Sequence, residues 1–299
     1  TAARAAAGVG AAYSGADLTD LWAAPMPSAW AVTADMKNPA HYPLATGKAC
    51  YVGDGVACVL ATSETAARDA LDLIDVDYEP LPAVVDLEDA LSDRVVIHDD
   101  LGTNKCYQWD LKIEGTEGQV DAAFAAAAHT VKERFIQQRL IPMAMEPRAV
   151  AAVPQPFGGD MVLYSATQVP HILKVPVRWN EERGENAVAT IQGRGQIQHV
   201  ELAADADGRL TAIRIRIVAD MGGYQQLITA GVPLLGAFLY AGVYELPQAY
   251  DFSCTGVYTN LTPTDAYRGA GRPEATYAIE RAMDVLADQM GIDPMDLRT

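Results

Sequence analysis

No uninterrupted run of about 18 apolar residues occurs in this chain of 299 residues, so the sequence contains no candidate membrane-spanning helix. Cysteine is scarce. The four thiols, Cys50, Cys58, Cys106 and Cys254, never stand in C-x-x-C spacing, so neither a zinc site nor an iron–sulfur cluster is signalled. Four cysteines could form two disulfides, but their density is far below that of a disulfide scaffold. Reduced thiols of a cytoplasmic protein are the simpler expectation. The five histidines, His41, His98, His129, His171 and His199, form no H-x-x-x-H or H-E-x-x-H pair, which argues against zinc held by protein side chains. Basic residues number only 22 against 39 acidic ones. The resulting net charge of −17 repels a phosphate backbone and excludes nucleic acid as the expected partner. The alanine-rich start, TAARAAAGVGAAYSGADL, lacks the architecture of a signal peptide and reads as though it begins inside a domain.

Apolar residues are plentiful. They make up 50% of the chain, enough for a sizeable core, and the length suits about two domains. The first third reads as α/β. Val56-Ala57-Cys58-Val59-Leu60 suits a buried strand, and residues 63–74 follow helical spacing with Thr62 or Ser63 as N-cap. Residues 74–79 then alternate apolar and acidic, as a half-buried strand would, and Pro80 and Pro82 end the run. The polar stretch 92–118 reads as a linker, and the alanine-rich stretch 118–128 as a helix. Strand patterns recur at residues 131–135, 149–153, 161–165, 195–203 and 210–218. Asp205-Ala206-Asp207-Gly208 makes a turn between the last two, predicting a hairpin. The strongest helix pattern runs from Pro273 to Met290, with Gly291 as its C-cap, and Asp293-Pro294 opens another helix.

The most informative segment is Ala266-Tyr267-Arg268-Gly269-Ala270-Gly271-Arg272-Pro273-Glu274-Ala275. Proline is at home at the first helical position, so this glycine-containing loop runs straight into a helix N-terminus. Such an end offers unpaired N–H groups and a positive dipole, and the glycines let a ligand approach the backbone closely. Three other segments stand out: Met145-Glu146-Pro147-Arg148, Ser165-Ala166-Thr167-Gln168-Val169-Pro170-His171, and the run from Pro176 through Arg178-Trp179-Asn180-Glu181-Glu182-Arg183 to Asn186. Gly193-Arg194-Gly195 lacks the strand–turn–helix context of a nucleotide fingerprint.

Together these four segments resemble, in family order, motifs of the molybdenum hydroxylases. This is the family of xanthine dehydrogenase, aldehyde oxidase and aerobic carbon monoxide dehydrogenase large subunits. The chain most resembles the carbon monoxide dehydrogenase-like form that carries A-Y-R-G-A-G-R. The resemblance implies an α+β fold, with an N-terminal α/β hammerhead domain over residues 1–100 and the first part of a molybdopterin-binding α+β domain over 101–299. The family places a glycine-rich pterin-binding segment where Lys174 here runs directly into Val175. A gap at 174/175 is therefore expected, as is a longer chain beyond Thr299 holding the base glutamate.

By the same resemblance, the Gln168 amide donates to an oxo ligand of molybdenum, although a polar glutamine at a strand end is the plainer alternative. Arg268, Gly269, Ala270 and Gly271 would lie beside the cofactor. Arg268 would hydrogen-bond the cofactor or the loop, or else serve in a buried ion pair. Relatives that oxidise carbon monoxide carry a copper-bearing cysteine where this chain has Gly269, which argues against that chemistry here. Xanthine dehydrogenases stack a phenylalanine on their purine where this chain has Ala270, so a differently shaped substrate pocket follows. Glu146 with Arg148 would form a buried pair, and Trp179, Glu182 and Arg183 would serve packing and ion pairing. The implied activity is oxidative hydroxylation of an aldehyde or N-heterocycle with water as oxygen source. The alternatives are aerobic carbon monoxide oxidation or, if the chain is really this short, a noncatalytic scaffold. The implied cofactor is molybdenum-molybdopterin in its cytosine dinucleotide form. The implied partners are a small iron–sulfur subunit carrying 2Fe-2S and a medium subunit carrying FAD, in a dimer of heterotrimers.

Overall fold

A computed structural model describes residues 2–28, 31–113, 115–145, 148–155, 161–165, 176–245 and 249–299. In the first third, α1 (Ala2–Ala5), β1 (Val9–Ser14) and α2 (Gly15–Leu18) lead through a long irregular stretch to β2 (Ala57–Ala61) and α3 (Glu64–Leu71). β1 and β2 pair antiparallel, with Val9 opposite Ala61 and Ser14 opposite Ala57. Ser63 caps α3 by accepting a hydrogen bond from the Ala66 amide at 3.2 Å, as its position before the helical pattern predicts. The expected strand at 74–79 does not form. These residues are irregular, Tyr78 is 60% exposed, and no strand pairs with them among the described residues. Alternation marks a strand only where a sheet edge and a packing layer receive it, and here neither does.

The rest of the chain builds two sheets. It runs through α4 (Leu87–Leu91), β3 (Lys105–Lys112), α5 (Gln119–Ala126), β4 (His129–Leu140), β5 (Ala149–Pro154), β6 (Met161–Ser165) and β7 (Val177–Asn180). It continues through α6 (Arg183–Ala189), β8 (Gly193–Ala204), β9 (Leu210–Gly222), α7 (Gly231–Gly236), β10 (Ala249–Tyr258), α8 (Arg272–Met290) and α9 (Pro294–Leu297). The main sheet has the order β3-β10-β9-β8-β4, and a smaller one has the order β6-β5-β7. β8 and β9 form the predicted hairpin, closed by Asp205, whose carboxylate accepts from the Asp207 and Arg209 amides at 3.0 and 2.9 Å. β10 runs parallel to β9, and α7 lies in the crossover that a parallel pair requires. The stretch expected as a linker contains β3 instead. Its Cys106 and Tyr107 are buried against the core, and it pairs antiparallel with β10.

Helix α8 lies over the main sheet. Its Ala275, Ala278, Ile279, Ala282, Met283 and Leu286 join one buried cluster with Val200, Ile213, Ile215 and Phe252. Three alanines on that face let the helix axis approach the strands closely. Gly291, in the left-handed region at φ 69°, ends the helix as expected.

The segment between β2 and the preceding helices is pinned to the main sheet through a buried aromatic and thiol group. His41 stacks on Tyr224 with ring centroids 4.0 Å apart, and His98 Nε2 lies 2.7 Å from the Gly223 carbonyl oxygen. Tyr224 donates its hydroxyl to Cys50 Sγ at 3.3 Å. Burial, reinforced by the neighbouring His98, lowers the His41 pKa to about 4. Asp54 stands 3.9 Å from His41, and burial raises its carboxyl in the opposite sense. A histidine kept neutral in the fold takes up its proton more readily when unfolded. Its contribution to stability is therefore intact above about pH 6.5 and is lost as the pH falls to about 4. Replacing His41→Phe keeps the stack and removes the titration. Urea unfolding at pH 7 and pH 4 is expected to show the wild type losing about 3 kcal/mol more than this variant across that interval.

Candidate cofactor-binding site

A buried carboxylate organises the end of the main sheet nearest α8. Asp220, on β9, is 3% exposed. Its Oδ1 accepts from the Gly222 amide at 2.8 Å and the Thr259 hydroxyl at 2.6 Å, and its Oδ2 is paired with Arg139 from β4. Arg139 also donates to Gln192 Oε1 at 2.8 Å and to the Thr262 carbonyl. The Thr264 hydroxyl donates to the Asp220 carbonyl, and the Thr229 hydroxyl to the Thr264 carbonyl, both at 2.6 Å. Asp265 accepts from the Ala266 amide at 2.6 Å and the Ile228 amide at 3.3 Å. Every polar group so buried finds a partner, which holds residues 259–266 in one conformation. A cavity of about 10 Å³, room for about one water, lies between Arg194, Gln196, Asp220, Thr229, Thr264 and Asp265.

From this anchored base the chain rises into the glycine loop. Gly269 has φ 101° and Gly271 has φ 83°, both in the region that disfavours a side chain. A Cβ on Gly271 would stand 2.7 Å from the Val232 carbonyl oxygen, so the loop packs directly on the backbone of α7. The amides of Arg268, Gly269 and Gly271 donate to no acceptor among the described residues. Arg268 and Arg272 are exposed, flank these amides and make no ion pair among the described residues. Pro273 follows in the first turn of α8. The loop thus carries two exposed arginines and three amides without an acceptor, and it leads into the N-terminus of a 19-residue helix with its dipole.

The structure brings Arg268, Gly269, Ala270 and Gly271 together, while Gln168, Glu146, His171 and the junction 174/175 lie outside the described residues. Of the segment around Arg148, it is Glu181 that is buried. Its carboxylate accepts from the Arg148 amide at 3.0 Å and from Asn186 at 2.9 Å. Glu182 forms its ion pair with Arg68, and Arg183 donates to the Ala144 carbonyl and to Asn186 rather than to an acid. Trp179 is 36% exposed. Two residues that motif reading passed over prove central: Arg194, seen only as part of a weak glycine motif, and Glu274, in the first turn of α8. Arg194 donates to Glu274 Oε1 at 3.1 Å and to the Arg268 carbonyl at 3.3 Å. No group of three His, Cys, Asp or Glu side chains able to hold a metal occurs among the described residues. Burial pushes the Cys106 and Cys254 thiols up to about 12, so neither offers a thiolate.

Comparison with known families gives this arrangement a context. The model of the molybdopterin cofactor-binding domain matches residues 97–175 and 171–299. The chain belongs to this family. The aldehyde oxidase and xanthine dehydrogenase a/b hammerhead domain matches residues 1–82. Subunit gamma of the 6-hydroxypseudooxynicotine dehydrogenase complex of Paenarthrobacter nicotinovorans is 30% identical over 88% of this chain and 38% of its own length. The carbon monoxide dehydrogenase large chain of Afipia carboxidovorans is 28% identical over 99% of this chain and 43% of its own. The crystal structure of quinoline 2-oxidoreductase from Pseudomonas putida 86 superposes with a TM-score of 0.87 at 28% identity, over 99% of this chain and 43% of that one. The chain thus spans about two-fifths of the length of the relatives it matches. The α+β architecture read from the motifs is the one observed.

The residues of the molybdopterin-binding domain fit such a group. The donors are amides and guanidinium groups, which suit oxyanions and pterin heteroatoms; Gly269 is exposed and lets a ligand approach the loop backbone, while Gly271 lets the loop pack on α7. Asp220→Ala leaves Arg139 buried without its partner and is expected to cost about 3–5 kcal/mol in urea unfolding, much of which Arg139→Met combined with Asp220→Leu recovers. Gly291→Ala meets nothing within 4 Å and is expected to cost only the left-handed backbone penalty of about 1 kcal/mol. Gly271→Ala, which must also displace the α7 backbone, is expected to cost more and to retain less pterin on purification.

Proposed function

We propose that this chain is part of the molybdopterin-binding large subunit of a molybdenum hydroxylase that oxidatively hydroxylates an aldehyde or an N-heterocycle with water as oxygen source. The observation that carries the reading is the anchored loop 266–271, whose unpaired amides, flanking arginines and adjoining helix N-terminus form a cradle for an anionic organic cofactor. When bound, that group supplies a Lewis-acidic metal and activates oxygen derived from water. The protein's part is placement. Arg268 would hydrogen-bond the group or order the loop, Gly269 would allow close approach, Gly271 lets the loop seat on α7, and Gln168, outside the described residues, would supply a neutral amide donor that leaves the charge of the site unaltered.

Gly269 and Ala270 shape the substrate reading. Gly269 has no sulfur to hold a copper ion, which argues against carbon monoxide as substrate. Ala270 cannot stack on an aromatic ring, which favours a pocket unlike that of a purine oxidase. The finer assignments rest on the resemblance. They are a cytosine dinucleotide form of the pterin, a small 2Fe-2S subunit and a medium FAD subunit to receive electrons, a dimer of heterotrimers, and a cytoplasmic location. The names of relatives as a large chain and a subunit gamma support the presence of partner subunits. No helix among the described residues is long and apolar enough to cross a membrane. We place the domain boundary near residue 100. The interruption at 174/175 is supported by a family match in two pieces that meet at residues 171–175.

Elemental mass spectrometry of the purified native complex tests the reading. Molybdenum near one per chain without copper is expected, together with oxidation of aldehydes or N-heterocycles. Equimolar copper would restore carbon monoxide as substrate, and well-folded protein with neither metal nor pterin would favour a noncatalytic scaffold.

A further inference from the structure

The buried arginine of this site is Arg194, and its backbone is unusual. Arg194 has φ 68°, in the left-handed region that costs a side-chain-bearing residue about 1–2 kcal/mol. It stands at the start of β8 between two glycines, neither of which is replaceable. A Cβ on Gly193 would lie 2.6 Å from Tyr267 Cβ, and Gly195, at φ 76°, packs on Arg139 and Asp220. This turn aims the Arg194 side chain, 8% exposed, into the layer between the sheet and α8.

There the guanidinium makes three contacts. It pairs with Glu274, it donates to the Arg268 carbonyl, and its Cζ lies 5.0 Å from the centroid of the Tyr267 ring. A buried ion pair does not by itself add net stability, because desolvation offsets the attraction. This pair is also incomplete: Glu274 is 1% exposed, and its Oε2 has no partner. A strained backbone and a half-satisfied buried carboxylate are costs that stability alone does not explain, and such costs gather where geometry serves function.

We propose that Arg194 is a positioning residue. Clamped by Glu274, it holds the Arg268 carbonyl and the Tyr267 ring so that the exposed part of the loop, at Arg268 and Gly269, is presented to the pterin cofactor. This inference rests on the cofactor-binding reading above. It assigns the two arginines different roles: Arg268, exposed, faces the ligand, and Arg194, buried, sets the loop that carries it. A lysine could reach Glu274 but, as a point charge, could not also bond the Arg268 carbonyl and cover the Tyr267 ring.

The test compares the full-length chain in its native complex with Arg194→Lys and Arg194→Met, by hydrogen exchange, molybdenum and pterin content, and the Mo(V) electron paramagnetic resonance spectrum. The amides of Ala270, Arg272 and Ala275 are reporters, because they bond the carbonyls of Tyr267, Gly269 and Gly271. In both variants these amides are expected to exchange about tenfold faster or more while β9 is unchanged. Molybdenum content is expected to fall severalfold, less in the lysine variant, and the Mo(V) spectrum of the remainder to change shape. If the methionine variant does not fold, the lysine variant decides. Exchange within about twofold of wild type would overturn the proposal. So would faster exchange with unaltered molybdenum content and spectrum, which would leave Arg194 a structural residue. Wild-type protein devoid of molybdenum and pterin would overturn the enzyme reading instead, and exchange at the three reporters would still decide whether Arg194 orders the loop.

Discussion

The ion pair between Arg139 and Asp220 is the constraint on which the rest of the site depends. It joins the edge strand β4 to the central strand β9 and, through Thr259, Thr262 and Thr264, ties down the segment that becomes the glycine loop. Ions in so dry a place are tolerated only when they are paired and hydrogen-bonded, and here each nitrogen of the Arg139 guanidinium and both carboxylate oxygens of Asp220 have a partner. The loop above inherits its position from this base.

Helix α8 does two jobs with its two faces. Its alanine-rich side lies on the sheet in the apolar core, while its first turn delivers Glu274 inward, directly after the loop whose amides are unpaired. The long helix can present an anion-attracting end only because the core holds its axis still. Helix stability in this setting comes from tertiary burial more than from propensity. The buried polar residues Gln196, Gln198 and Tyr240 beneath it extend the polar layer inward from the loop, with Gln198 donating to Tyr240 at 2.7 Å. The site is therefore built from the same layer that makes the core.

The relation to known families follows the same division. The fold is shared along nearly the whole of this chain with a relative at 28% identity, so packing survives where most side chains differ. The residues that would tune chemistry, Gly269 and Ala270, sit in the exposed part of the loop, where exchange of a side chain perturbs the core least. A family of one architecture can in this way serve several substrates.

Local patterns in the sequence determined much of the architecture. The hairpin turn at 205–208, a cap at Thr62 or Ser63, the span of α8 from about Pro273 and its Gly291 end all follow from residue chemistry acting over a few positions, and all were legible. That a loop runs into a helix there was legible as well, from the glycines and from Pro273 at the helix entrance. Tertiary structure alone decided the rest. β3 lay hidden in a polar stretch because an edge strand need bury only part of its length, and the apparent strand at 74–79 failed for want of a partner. Arg139, Asp220, Arg194 and Glu274 are separated by up to 135 positions, and charges so far apart acquire meaning only when β-pairing and helix docking bring them within hydrogen-bond reach. Spacing along a chain encodes helices and turns, but it does not encode which buried charge will find which.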